Sequence, residues 1–140
     1  MTGKPKVLIV EDETAVAMMM TYLLTHAGCE VRVAHTAEQG MQLARTRGFD
    51  LITLDIVLPG TSGFEICRRL KQIPRLHDTP VVFVSGHTSE KNQQRAFVLG
   101  AVDYIEKPFD AQDFVSRILS HIKTERDPDL VEALTESSMA

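Results

Sequence analysis

The sequence predicts an α/β fold: a doubly wound, five-stranded parallel sheet with helices on both faces. Three observations predict it. Short apolar runs alternate five times with longer segments of helical period. Three of the runs, VLIV, LITL and VVFV, are apolar throughout, as strands buried on both faces are. Polar residues with chemistry in them follow the runs: Asp12 after the first, Asp55 after the third, Ser85 after the fourth and Lys107 just past the fifth.

The elements follow in order. Residues 7–10 are the first strand. Residues 14–27 are helical, with Val16, Met19, Met20, Leu23, Leu24 and Ala27 as an inward stripe and Gly28 as the stop. Residues 29–34 alternate, Val31 and Val33 on one face and Arg32 on the other, and form the second strand. The next helix starts at Thr36 or Ala37, runs to Arg47 and is closed by Gly48. Thr36 and Gln39 have the spacing of a capping box. Residues 51–54 are the third strand, and Pro59 to Gly63 a turn. Residues 64–72 are a helix ended by Pro74. Residues 81–84 are the fourth strand, 89–99 a helix capped by Gly100, and 101–105 the fifth strand. Residues 110–123 are the last helix, with Phe114, Ile118, Leu119 and Ile122 inward.

The second and fifth strands mix in polar residues, as edges do, so the first, third and fourth are central. Right-handed crossovers then give the order 2-1-3-4-5, the flavodoxin-like arrangement. Its switch point lies between strands 1 and 3, at the carboxyl edge where ligands bind. Asp12 and Asp55 flank that point.

At 140 residues the chain reads as one domain over 1–123. Residues 124–140 carry five acids against one base and read as an acidic tail or the start of a linker. Hydrophobic content of 44% without low-complexity tracts makes the domain globular. A net charge of −4, a pI near 5.7 and no basic cluster argue against nucleic-acid binding by this segment. The first apolar run is broken by acids after four residues, so it is neither a signal peptide nor a membrane span, and a cytoplasmic protein is expected. Cys29 and Cys67 lack CxxC spacing and read as buried free thiols. The five histidines show no metal-ligand spacing, and only His87 lies near the expected site.

Glu11, Asp12 and Asp55 make a hard, oxygen-rich pocket that suits Mg²⁺. Glu11 and Asp12 alone fit a helix N-terminus equally well, and Asp55 alone fits a turn. A helix cap does not explain an acid that also ends the third strand. Asp55 is therefore the candidate nucleophile toward phosphorus. Lys107 supplies a point charge for phosphoryl oxygens. Ser85 is a hydroxyl donor for the same oxygens, with Gly86 leaving room beside it. Pro108 fixes the backbone after Lys107 and is a place for a cis peptide.

The spaced set VLIVEDE, LDIVLPGTSGFE, VVFVSG and GAVDYIEKPF resembles the receiver domain of bacterial two-component response regulators over roughly residues 5–123. The resemblance implies Asp55 as phosphoacceptor and Mg²⁺ held by Asp12, Asp55 and the Val57 carbonyl, with Glu11 acting through water. It further implies Ser85 as switch hydroxyl, Tyr104 as switch aromatic, Lys107 as phosphate-pairing cation and a cis Lys107–Pro108 peptide. The implied partner is a sensor histidine kinase or a histidine phosphotransfer protein. The fourth helix begins T-S-E-K-N-Q-Q-R, so its first turns bury little, and the fourth helix, fifth strand and fifth helix are the expected partner-facing surface, which also offers a face for a homodimer. Such a domain catalyses only its own phosphorylation and dephosphorylation. Val57 and Gly86 depart from the commonest residues, Met and Ala, and Val57 and His87 flank the path of a hydrolysing water.

Three other readings compete. A haloacid-dehalogenase-like phosphatase would want a second Asp where Val57 stands. A flavin-binding flavodoxin would want a hydroxyl- and Gly-rich loop where Glu11-Asp12-Glu13 stands. A receiver-like module that is never phosphorylated would not need the complete set of site residues.

Overall fold

In a computed structural model, which describes residues 3–122, one five-stranded sheet runs through the domain. The strands are β1 (Lys6–Val10), β2 (Glu30–Ala34), β3 (Leu51–Leu54), β4 (Val81–Ser85) and β5 (Asp103–Glu106). All pairings are parallel, in the order β2-β1-β3-β4-β5. The helices are α1 (Thr14–His26), α2 (Ala37–Thr46), α3 (Gly63–Gln72), α4 (Glu90–Val98) and α5 (Ala111–His121). A short 3-10 turn, Pro74–Leu76, follows α3; Pro74 starts it as well as ending the helix before it.

Two apolar layers sandwich the sheet. On one side Leu8, Ile52, Leu54 and Phe83 meet α2, α3 and Ala96 of α4. On the other, Val7, Ile9, Val82 and Ile105 meet Met20 and Leu24 of α1 and Phe114 and Ile118 of α5. The apolar residues of β1, β3 and β4 are fully buried, which accounts for their unbroken apolar runs. Each such Leu, Ile or Phe contributes roughly 1.5–3 kcal/mol of burial. Edge strand β2 exposes Glu30 and Arg32, as its alternation predicts. α2 comes so close to β1 that a Cβ on Gly40 would lie 2.9 Å from a Val10 methyl.

Four helices start on side-chain caps. Thr36, Ser62, Ser89 and Asp110 each accept the backbone N–H three residues on, worth typically ~1 kcal/mol apiece. The Gln39 side chain reaches back to the His35 amide, one residue before the cap. Gly28 and Gly100 have positive φ and follow α1 and α4 as left-handed stops.

Several expectations need correction. Met19 does not face the core; it is 53% exposed. α1 carries apolar residues all around, so spacing alone admits several stripes, and the core takes Ala17, Met20 and Leu24. Leu119 is likewise half-exposed, because α5 presents Phe114, Ile118 and Ile122, four residues apart, to the sheet. Gly48 does not adopt a left-handed stop; α2 ends at Thr46 with Arg47 extended. Ser89 and Asp110 are caps rather than helical residues. The fifth strand begins at Asp103, not residue 101, and takes in Glu106. The tail, 124–140, lies outside the described residues.

Candidate functional site

The carboxyl ends of β1, β3 and β5 lie along one edge of the sheet, and their following residues converge there. Lys107 Nζ lies 2.7 Å from Asp55 Oδ2 and 2.6 Å from Glu11 Oε1. Glu11 and Asp55 are buried, and Asp12 is exposed at the rim. Carboxylate oxygens of Glu11, Asp12 and Asp55 all lie within 4.8 Å of one another. The Val57 amide donates to Asp55 Oδ1 at 3.3 Å. Asp55 is thus held through both oxygens, one by an ammonium and one by a backbone N–H. The Lys107–Pro108 peptide is cis.

Glu13 is a site residue that sequence reasoning did not assign. Its Oε1 lies 3.4 Å from Lys107 Nζ, and its amide donates to Glu11 Oε2 at 3.1 Å. The signal was present as the third acid of Glu-Asp-Glu. Its consequence is local: among the five described helices, only α1 has no side-chain cap, because its N-cap is Glu13. A local rule of helix formation gives way at the site.

Charge accounts for the electrostatics. Burial pushes the Glu11 carboxyl above its ordinary range, against the hydrogen bonds from Lys107 and the Glu13 amide, and the Asp55 charge adds to the push. Burial pulls Lys107 down, but hydrogen bonds to Asp55 and Glu11 outweigh it and hold the ammonium above its ordinary pKa. Lys107 stays an ammonium, with two acids within 2.7 Å of it. Four carboxylates, Glu11, Asp12, Glu13 and Asp55, face one ammonium, and this excess of negative charge suits a divalent, oxygen-seeking cation.

Ser85 ends β4 fully buried. Its Oγ accepts the His87 amide at 3.2 Å, and its carbonyl accepts the Lys107 amide at 3.0 Å. Ser85 is thus tied to the Lys107 backbone, not to the acids. Tyr104 is buried as well, its ring stacked at 6.3 Å from Phe83 and its hydroxyl donating to the His87 carbonyl at 3.0 Å. Phe83 also packs on Phe64, with Arg95 of α4 4.5 Å above the Phe64 ring.

The site opens into a cleft of about 420 Å³. Asp12, Asp55, Gly86, His87 and Lys107 line it, with Val16, Met19, Val57 and Phe109 as an apolar wall. One further contact bears on Asp55: a Cβ on Gly63 would fall 1.9 Å from the Asp55 carbonyl oxygen. The first residue of α3 therefore packs directly on the Asp55 backbone. The two cysteines lie away from this site as buried free thiols, and burial pushes Cys67 up to about 11. Among the described residues, no helix is long and apolar enough to cross a membrane.

Comparison with known proteins agrees with this arrangement. The sequence pattern of the response regulator receiver domain matches residues 7–119. The phosphate regulon transcriptional regulatory protein PhoB of Rhizobium meliloti is 32% identical over 130 residues, covering 93% of this chain and 57% of that protein. Response regulator ArlR of Staphylococcus aureus is 32% identical over 127 residues, 91% of this chain and 57% of its own. The chain thus spans a little over half the length of these curated relatives. Among solved structures, a CheY-like receiver domain protein from Methanospirillum hungatei superposes with a TM-score of 0.79 at 29% identity, covering 84% of this chain and 93% of that one. CheY4 of Vibrio cholerae gives 0.82 at 26% identity, covering 86% and 100%. A family match over most of the chain, a sheet in the order 2-1-3-4-5 and an acid–lysine cluster at its switch point lead to one conclusion: the chain belongs to the response regulator receiver domains, the phosphoacceptor switches of two-component signalling.

Proposed function

We propose that Asp55 accepts a phosphoryl group from the phosphohistidine of a sensor histidine kinase or histidine phosphotransfer protein. The observation that carries this reading is the Asp55–Lys107–Glu11 contact at the switch point, with Asp12 beside it. The Asp55 carboxylate attacks phosphorus and forms a P–O bond while the P–N bond of the donor breaks. Val57 N–H and Lys107 orient the carboxylate, and Lys107 then follows the charge onto a phosphoryl oxygen. Asp12, Asp55 and the Val57 carbonyl would hold Mg²⁺, with Glu11 acting through water. When bound, the ion supplies charge neutralisation to the phosphoryl oxygens. Positioning and charge do the work, so the domain modifies itself and is not a turnover enzyme.

The reading extends to a domain over 1–123, an acidic tail or linker over 124–140, and a cytoplasmic protein. Ser85 and Tyr104 act as the switch pair, and α4, β5 and α5 as the partner-facing surface, for a target or a second copy. This segment needs neither nucleic acid nor membrane. α4 buries only Ala96, which supports its readiness to shift. Tyr104 is already inward, so the change expected on phosphorylation is tighter packing of α4 around it, not a large swing of the ring. A full reversal from 1:99 to 99:1 takes about 5.5 kcal/mol, more than one new Ser85 hydrogen bond supplies, so a partner or dimer completes the shift.

Acetyl phosphate with Mg²⁺ should add one phosphoryl mass to the protein and none to Asp55→Asn; equal labelling of the two would sink the assignment. Hydrogen exchange with beryllofluoride should change over Glu90–Val98 and Tyr104. Identical exchange there, with change elsewhere, would move the switch to another surface.

A further inference from the structure

We propose that Met19 determines which phosphodonors Asp55 accepts, by favouring a neutral aromatic nitrogen leaving group over an anionic one. The inference rests on the phosphoacceptor reading of Asp55. Two observations carry it. The cleft over Asp55, about 420 Å³, holds far more than a phosphoryl group, and its wall is apolar: Val16, Met19, Val57 and Phe109. Met19 and Val57 are 53% and 51% exposed, so these two are not part of the core, whereas Val16 packs against it. Phe109, by contrast, is anchored by stacking at 4.6 Å on Phe114. The second observation is the charge of the remaining lining, where Asp12 and Glu13 stand beside Asp55 and a single cation, Lys107, is already paired with Asp55 and Glu11.

In phosphoryl transfer the attacking and leaving atoms lie roughly in line. With Asp55 attacking from the floor, the leaving group occupies the cleft and meets this wall. An imidazole presents apolar faces there, and a methionine thioether makes favourable contacts with an aromatic ring. The transfer balances without another reactant. The P–N bond breaks with its electron pair going to nitrogen, a P–O bond forms to Asp55, and a phosphoimidazole already protonated on its other nitrogen departs as neutral imidazole. From acetyl phosphate the leaving group is acetate, an anion released beside Asp12 and Glu13 with no use for an apolar wall.

The test uses the whole chain with Mg²⁺ and two small donors, monophosphoimidazole and acetyl phosphate, at equal concentration. Initial rates of Asp55 labelling are read by intact mass. Met19→Gln keeps the length of the side chain and makes it polar. Its rate with monophosphoimidazole should fall about fourfold more than its rate with acetyl phosphate, the size expected for losing roughly one methylene of apolar contact. Met19→Leu should restore the wild-type ratio. Thermal melting checks that both variants stay folded, as expected for a half-exposed position. A ratio unchanged in Met19→Gln, with Asp55 still labelled, overturns the role of Met19 and leaves the phosphoacceptor reading standing. Failure of both donors to label Asp55 in the unaltered protein overturns both.

Discussion

Replacing Gly63 with alanine puts a methyl carbon 1.9 Å from the Asp55 carbonyl oxygen, 2.8 Å from the carbonyl carbon and 3.2 Å from Phe83 Cε1. Carbon does not approach backbone oxygen closer than 3.0 Å, so opening 1.9 Å to that limit takes a shift of at least 1.1 Å. The helix side cannot yield freely. The Gly63 amide donates to the Ile56 carbonyl at 2.8 Å, and Ser62 caps α3. Much of the shift falls on the end of β3, which carries Asp55. Overpacking of this kind costs about 1–3 kcal/mol of stability. Displacing the nucleophile by about 1 Å costs on the order of 100-fold in rate, since it breaks the 2.7 Å Lys107 contact. Urea unfolding gives the first quantity, and the initial rate of Mg²⁺-dependent labelling by acetyl phosphate gives the second. Gly48→Ala is the control: no atom lies within 4 Å of its added carbon, so it should be neutral or up to about 1 kcal/mol more stable. If Gly63→Ala labels within threefold of the unaltered protein, the close packing of α3 on Asp55 does not position the nucleophile.

Thr53 Oγ1 is buried without a hydrogen-bond partner, two residues before Asp55. Thr53→Val should therefore raise stability by about 1 kcal/mol; a lower urea midpoint would mean that the hydroxyl has a partner such as an ordered water. Burial pushes the Asp103 carboxyl up, but hydrogen bonds from Arg117, His121 and its neighbouring amide outweigh this and hold it below its usual range. A depressed carboxyl stabilises the fold at neutral pH and loses that contribution as pH falls below about 4. Asp103→Asn should accordingly lose less stability between pH 7 and pH 3 than the unaltered protein; an equal loss would assign the acid sensitivity elsewhere. For the metal, Asp12→Ala should lose most Mg²⁺ affinity and Ser85→Ala keep it, as read by titration. Equal loss in both would mean that the ligand set is drawn wrongly.

The alternation of apolar runs with helical stripes was enough to determine the sheet, its order and its edges. These depend on periodicity and on which strands are buried on both faces, and both are local properties of the chain. The positions of Asp12, Asp55 and Lys107 followed from the same logic, because parallel strands bring their ends to one edge wherever the residues fall in sequence. Tertiary structure alone decided the rest. Met19 fits an inward stripe as well as Met20 does, and only the packing of α1 against the sheet chose between them. Glu13 is one more acid in a run until Lys107, 94 residues away, comes within 3.4 Å. Gly63 reads as a turn glycine until the Asp55 carbonyl comes to occupy the place of its missing Cβ. The inward seat of Tyr104 depends on Phe83 and on the His87 carbonyl, which belong to the neighbouring strand and the loop after it. Each is a contact between residues distant along the chain. A pattern of residue types specifies which elements form, but not which atoms of separate elements touch when they close-pack.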